Sequence, residues 1–409
     1  MKVIPKIVVA GHVCLDLTPQ FLIDAPTDVS RLLEPGKLLN MGKMTISTGG
    51  PVSNTGIALA KLGMRPALMA KIGNDYIGKG VLEQFAKYPV TSYVREVDDT
   101  ATSYTVALVP KGMDRIFLHC TGANDTFDSR DLDYGIIGKT DLFHFGYPPL
   151  MQRMYEDSGK ELIEIFKRVK ELGVTTSLDM SLPDPSSESG KVDWQYILEK
   201  VLPYVDLFLP SIEESSFMID KALYRSLRES ATTTDMLENL DINDIPRISE
   251  RFIAMGAKVV AIKCGVKGFS IRTAHKNTLS HMGRCKPADL DNWSDRELHE
   301  ESFNAEPIVS ATGSGDSSIA GFLSAFHRGY SIEESIRIAC AVGGLNVQAY
   351  DAISGIKSWE ETLDLIDAGW AKNKLHIEGN HWTYDDIRTT WVGINDSKPP
   401  ILPKHARGE

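Results

Sequence analysis

A chain of 409 residues, 42 % hydrophobic and 24 % charged, is long enough for one large α/β unit or two cores and too apolar for extensive disorder. Its net charge of −11, with no compensating block of Lys and Arg, excludes a polyanionic nucleic-acid partner but leaves room for a small anion held locally. The five cysteines, Cys14, Cys120, Cys264, Cys285 and Cys340, are scattered without a Cys-x-x-Cys pair and read as free thiols of a reducing compartment.

The apolar run 7–10 is far shorter than a signal-peptide core, and no later run approaches the roughly 20 residues of a membrane span. A cytoplasmic protein with no membrane partner is therefore expected. Residues 6–10 read as a buried strand closed by Gly11, with Asp16 just beyond. A carboxylate there can meet a ligand or simply face solvent. Residues 18–48, interrupted by Pro19, Pro26 and Pro35, are expected to be irregular up to a strand at 44–47. Gly49-Gly50-Pro51-Val52-Ser53-Asn54 then leads into a helix over 55–62 that Gly63 ends. Paired glycines admit a ligand close to the backbone. Asn54 either caps the helix or offers the donors and acceptors that sugar hydroxyls require.

Residues 73–79 match a phosphate-loop pattern, but Gly80 stands where Ser or Thr must hold magnesium. The segment is better read as the end of a strand (67–72) and the start of a helix through Phe85. Alternation at Tyr104, Val106 and Leu108 and at Ile116 and Leu118 predicts a hairpin turned at Lys111-Gly112. From Thr140 onward, strands at 142–145, 175–179 and 207–209 alternate with helices at 160–172 and 194–201. That order means a parallel sheet with helices on both faces. Asp179 and the segment Ser211-Ile212-Glu213-Glu214 fall at carboxyl ends of strands, Glu213 as a first-turn acid and Glu214 turned toward the crevice.

Residues 223–246 are expected to form exposed polar helices. A buried strand at 258–264 leads to Gly265 and Gly268 and a β continuation at 269–272. The stretch 273–306 reads as a long surface insertion, and the spacing of its His275, His281 and His299 fits no standard metal site. A helix over 332–349 follows, and residues 371–409 form a C-terminal extension.

The stretch 309–328 organises the rest. In Ser310-Ala311-Thr312-Gly313-Ser314-Gly315-Asp316 the glycines flank a serine where a helix begins, and Ile319, Phe322, Leu323 and Phe326 recur at helical spacing. Free backbone N–H groups with the positive end of the helix dipole behind them make an anion cradle. Asp316, in the first turn, is either a capping acid or a base within reach of the held anion. A cradle and a base together indicate phosphoryl transfer.

Two motifs in this order and separation, Gly49-Gly50 with Asn54 before Leu62-Gly63 and Thr312-Gly313-Ser314-Gly315-Asp316 before Ala320-Gly321, resemble the ribokinase-like, or PfkB, family of carbohydrate and nucleoside kinases. Ile72-Gly73 with Asp75 and Gly78, Gly122-Ala123-Asn124, and Gly265 with Gly268 agree with it. The resemblance implies one large three-layer α/β/α kinase domain with a mostly parallel central sheet and a small β lid from about 14–48 and 92–120. It implies ATP and Mg2+ as cofactors and a small sugar or nucleoside as substrate.

By position, the resemblance makes Asp316 the base and Gly313, Ser314 and Gly315 the anion hole. Asp16, Gly49, Gly50, Asn54 and Asn124 fall to the acceptor. Lys263, Gly265, Gly268, Thr312 and Asn346 fall to the nucleotide, and Glu214 to the metal. Three departures stand out. Ser310 occupies a position where many members carry an aspartate linked to a monovalent cation, Ser211 replaces the asparagine of Asn-x-x-Glu, and Lys263 replaces a smaller polar residue with a charge suited to a nucleotide phosphate. A nucleoside kinase, or a sugar-binding sensor with little turnover, would use the same residues. An exposed lid sheet would offer a surface through which two copies could pair as a homodimer.

Overall fold

The computed structural model describes residues 5–22, 35–110, 116–231 and 236–401. Its strands are β1 (Ile7–Gly11), β2 (Cys14–Phe21), β3 (Met41–Gly49), β4 (Ala67–Met69), β5 (Lys71–Gly73), β6 (Thr91–Ser92), β7 (Arg95–Val97), β8 (Tyr104–Leu108), β9 (Ile116–Cys120), β10 (Leu142–Gly146), β11 (Thr175–Leu178), β12 (Leu207–Phe208), β13 (Val259–Lys263), β14 (Phe269–Thr273), β15 (Glu297–Glu300), β16 (Trp382–Asp385) and β17 (Thr390–Gly393). The main sheet runs β16-β17-β15-β14-β13-β12-β11-β10-β1-β4-β6. From β13 to β6 every pair is parallel, and from β13 outward to β16 every pair is antiparallel.

Both faces of the parallel part are covered, as continuous apolar strands require. In β1, Ile7 and Val9 join one core with the helices Pro51–Lys61, Ser314–His327 and Ile332–Asn346. Val8 and Ala10 join the other, with Lys160–Glu171, Trp194–Val201 and Ile245–Ala254. The carboxyl ends of β1, β10, β11, β12 and β13 thus open on one edge, where the helices Pro51–Lys61 and Ser314–His327 begin. A separate four-stranded sheet, β3-β2-β8-β9, stands over that edge.

The expected β hairpin is present as the antiparallel pair β8 and β9, with Leu108 opposite Ile116. Its turn at Lys111-Gly112 lies outside the described residues. Of the stretch 18–48, the described residues 18–22 and 35–48 are more regular than expected. Strand β2 continues through Pro19, because pairing with β8 ends at Leu17 and the register with β3 breaks just after Pro19, so the missing N–H disrupts no ladder. The helix expected over 55–62 starts four residues earlier, at Pro51, where a missing N–H is tolerated.

The stretch 273–306 needs a larger correction. It is not a surface appendage, since β15 is a strand of the main sheet and Trp293, Arg296, Leu298 and His299 are buried. Several of its charged residues, Arg296, Glu297 and Glu300, are buried in ion pairs, Arg272–Glu297 at 2.9 Å, Arg296–Asp396 at 3.0 Å and Lys372–Glu300 at 2.5 Å, which composition alone reads as solvated. Strands β16 and β17 of the C-terminal extension complete the same edge. Likewise the helix Ile245–Ala254, partly within the segment expected to be exposed, buries Ile245, Ile248 and Phe252. Among the described residues no helix is long and apolar enough to cross a membrane.

Candidate active site

The glycine-serine loop becomes a helix start, as its composition dictates. Gly313 adopts φ 72° as the residue before Ser314–His327, and a Cβ there would lie 2.4 Å from Ala352 Cβ. Only glycine fits that conformation and that gap. The amides of Gly315 and Asp316, in the first turn, have no backbone acceptor among the described residues, as the start of any α-helix leaves them. They are available to an anion.

Asp316 is 2 % exposed. Its Oδ2 accepts hydrogen bonds from Asn54 Nδ2 and from the Tyr147 hydroxyl, both at 3.0 Å, and its Oδ1 accepts from Thr55 Oγ1 at 3.3 Å. Burial raises the pKa of this carboxyl above the ordinary carboxylate range. The three donors and the charge of Lys263 oppose that rise. A carboxylate held by neutral donors beside free helix amides can accept a proton from a hydroxyl brought to it.

Asn54 lies in the first turn of Pro51–Lys61 rather than at its cap, which is Gly50 at φ 82°. A Cβ on Gly50 would stand 2.5 Å from His12 Nδ1, and one on Gly49 would stand 2.4 Å from Asp16 Oδ2. The glycine pair therefore lets the helix start reach both the end of β1 and the lid. Asn54 Oδ1 is buried with no partner among the described residues. Asp16, on β2, accepts from Cys14 Sγ at 3.3 Å, and burial raises its pKa. In register across the lid, Ser47, Asp16, Thr105 and His119 form one polar row.

Lys263 ends β13 and pairs with Asp179 Oδ1 at 2.5 Å, at the carboxyl end of β11. A Cβ on Gly315 would lie 3.4 Å from Lys263 Cδ and 4.0 Å from its Nζ, so the ammonium lies beside the start of the anion cradle. Burial pushes the Asp179 carboxyl up, with Lys263 opposing and the charges of Glu214 and Asp316 adding to it. The ammonium is held charged, because those carboxylates outweigh its own desolvation. Gly265 and Gly268 form the turn from β13 into β14, at the same end of the sheet.

Three expected residues bond to nearby backbone. Asn124, 0 % exposed, uses its amide on the backbone of Val13, donating to its carbonyl at 2.9 Å and accepting from its N–H at 3.2 Å. It fixes the crossover from β1 into the lid. Asn346, also 0 % exposed, donates to the carbonyl of Thr312 at 2.9 Å and so fixes the cradle from behind. Glu214 closes a capping box on Ile212–Ile219: its Oε2 accepts from the Ser211 N–H at 2.6 Å while Ser211 Oγ accepts from the Glu214 N–H at 3.2 Å. The serine that departs from Asn-x-x-Glu thus has a local structural use. Thr312 sits in the loop itself, its N–H donating to Ser310 Oγ at 3.2 Å.

Tyr147, Thr55 and His12 did not come out of the sequence pattern. Each stands at a carboxyl end of a strand or a helix start, and the dipeptide Gly146-Tyr147 before two prolines was the one available signal. Among the described residues no group of three or more His, Cys, Asp or Glu side chains is placed to hold a metal on its own.

The family described as pfkB family carbohydrate kinase matches residues 6–359. An uncharacterized sugar kinase of Archaeoglobus fulgidus is 26 % identical over 301 residues, covering 73 % of this chain and 98 % of its own. Ribokinase of Haemophilus influenzae is 23 % identical, covering 84 % and 95 %. Among solved structures, Arabidopsis thaliana ribokinase complexed with ribose and ATP superposes with a TM-score of 0.64 at 21 % identity, covering 89 % of this chain and 99 % of that one.

Proposed function

Because the chain belongs to the pfkB family of carbohydrate kinases, we propose that it transfers the terminal phosphoryl group of ATP to a hydroxyl of a small sugar-like acceptor, with Asp316 as the base. The observation that carries this reading is the convergence at one point of Asp316, Asn54 and the amides of Gly315 and Asp316, which have no backbone acceptor among the described residues. A hydroxyl within reach of Asp316 gives up its proton to Oδ1 or Oδ2 as its oxygen attacks the phosphorus. The helix start and the Lys263 ammonium take up charge on the transferring group. Asn54 Oδ1, buried and without a partner among the described residues, is suited to accept from a second acceptor hydroxyl.

ATP phosphates bind beside Gly313, Ser314 and Gly315 in this reading. The base of the nucleotide lies toward the Gly265–Gly268 turn. Magnesium binds mainly through phosphate oxygens and water, with few protein ligands. Asp179 Oδ2, buried without a partner among the described residues, and the partly exposed Glu214 fit that modest requirement, and the ion would neutralise phosphate charge. The chain's own part is to hold the phosphates in line with the hydroxyl and to exclude water beneath the lid.

Nucleoside phosphorylation is a second reading, favoured by one observation. The rings of His12, His119 and Tyr147 cluster beside the base, with centroids 5.6 Å and 6.2 Å from His12, a surface suited to a nucleobase.

The test is a panel of sugars and nucleosides with ATP and Mg2+, run on the wild type and on Asp316→Asn. The wild type is expected to phosphorylate at least one of them, and the variant to lose about 10²-fold or more in turnover while still binding it. Wild-type turnover in the variant would remove Asp316 as base. Tight binding without turnover in the wild type would mark a sensor instead.

A further inference from the structure

The acceptor side of the site contains a ring whose two nitrogens the reading above leaves unused. His12 follows β1 and is 2 % exposed, yet neither of its ring nitrogens has a protein partner among the described residues. A buried polar atom left unbonded is costly and uncommon, so a ligand or an ordered water must meet it. Its surroundings are the site itself and not the apolar core. The ring packs on Gly50, next to the helix start that bears Asn54, and against Tyr147, whose hydroxyl bonds to Asp316. On its other side stands His119 of the lid, hydrogen-bonded to Thr105 at 3.0 Å in the same cross-strand row as Asp16. His12 thus lies where the base, the glycine pair and the lid meet.

Resting on the kinase reading, we propose that His12 recognises the acceptor through its hydroxyl groups, and that this acceptor is an uncharged polyhydroxylated molecule, a neutral sugar either free or carried in a nucleoside. A neutral imidazole offers one N–H donor and one acceptor nitrogen, and hydroxyls can satisfy both. Burial holds the ring neutral, with its pKa pushed down to about 3, and lowers that of His119 as well. Asp16 stands in the same cross-strand row as His119, Asp316 is bonded to Tyr147, and the charge of Asp125 acts on His119, while the Lys263 ammonium that acts on Asp316 is paired with Asp179. A carboxylate or phosphate on the acceptor would gain no cation from the histidines and would meet like charges. The cluster therefore selects for neutral polyols as much by repelling anions as by bonding hydroxyls.

The experiment uses the full chain with ATP and Mg2+ and four sets of acceptors: neutral pentoses and hexoses, nucleosides, sugar acids and sugar phosphates. Binding of each is also read by calorimetry, independently of turnover. His12→Phe keeps the ring shape and removes both nitrogens, and His12→Gln keeps a donor and an acceptor. The wild type is expected to favour neutral acceptors by at least about 10²-fold in kcat/KM over anionic ones. In His12→Phe the acceptor KM should rise by about 10-fold or more, with the KM for ATP and the melting temperature unchanged, and His12→Gln should recover part of the loss. The sugar and nucleoside sets tell the two sources of the neutral polyol apart.

Preference for a sugar acid or a sugar phosphate would overturn the proposal. So would a His12→Phe variant with an unchanged acceptor KM, whether its melting temperature fell, as for a structural histidine, or held, as for a ring met by water. If nothing in the panel is phosphorylated, the kinase reading fails by itself. Calorimetry then decides this proposal: binding of neutral polyols that His12→Phe abolishes supports it, and absence of such binding refutes it.

Discussion

Tyr147 donates its hydroxyl to Asp316 Oδ2 over 3.0 Å, and it does so from a left-handed backbone, φ 63°, directly before Pro148. A bulky residue there costs about 1–3 kcal/mol, and a residue before proline ordinarily prefers an extended backbone. The rest of the fold holds Tyr147 in place at that cost, and its hydroxyl stabilises the charged form of the carboxylate. Tyr147→Phe is expected to lower kcat/KM by about 10-fold. It should also move the acid limb of the pH profile upward, because a donor to the ionised base is gone. A limb that stayed in place or moved down would show that Tyr147 does not tune the base.

Asp316 has a folded-state pKa raised above its unfolded value. Such a group binds its proton more tightly in the folded protein, so its ionisation destabilises the fold as pH rises past the unfolded value, roughly 4. Asp316→Asn should therefore melt higher than wild type at pH 7, by a margin on the order of 1 kcal/mol, and the difference should close toward pH 4. Melting curves across that range check it. An equal or lower melting temperature at pH 7 would mean that the donors from Asn54, Thr55 and Tyr147 fully offset the burial.

The pair Lys263–Asp179, at 2.5 Å with Asp179 buried and Lys263 partly so, gives a third prediction. Lys263→Met leaves a buried carboxylate without its partner, which costs about 3–5 kcal/mol. The raised folded-state pKa of Asp179 makes that loss largest at neutral and higher pH and smallest in acid. Adding Asp179→Asn should restore most of the stability but not the turnover, since the ammonium beside the cradle is still missing. Recovery of both by the double variant would make the pair purely structural.

The capping box at Ser211 separates two uses of Glu214. Ser211→Ala should lower stability by about 1 kcal/mol through the lost cap. Glu214→Gln keeps an oxygen for the Ser211 N–H, so its melting temperature should hold. If Glu214 also faces magnesium, this variant needs several-fold more Mg2+ for half-maximal rate. A titration of rate against Mg2+ that matched wild type would leave Glu214 with the cap alone.

The loop 310–316 was legible in the sequence because an anion cradle is a local device: glycines and a serine at a helix start free their own amides wherever the chain folds. The alternation of apolar strands with amphipathic helices after residue 140 was legible for the same reason. The helix start at Pro51 was not, since an Asn three positions on competes equally well as a cap until the backbone of Gly50 is seen. Residues 273–306 misled by composition, because buried ion pairs such as Arg296–Asp396 look like solvated charge until both partners are placed.

Sequence alone, then, determined the elements and the chemistry that each stretch can carry: a carboxylate at the head of a helix, a glycine pair before another, and a sheet to hold both. Tertiary structure decided which polar groups meet. Asn54 and Asp316 lie 262 positions apart and share a hydrogen bond. Asn124 and Asn346 turn out to hold backbone, while Tyr147 and His12 join the site unannounced. Hydrogen bonding of this kind depends on distance and direction in space, and no periodicity along the chain encodes either.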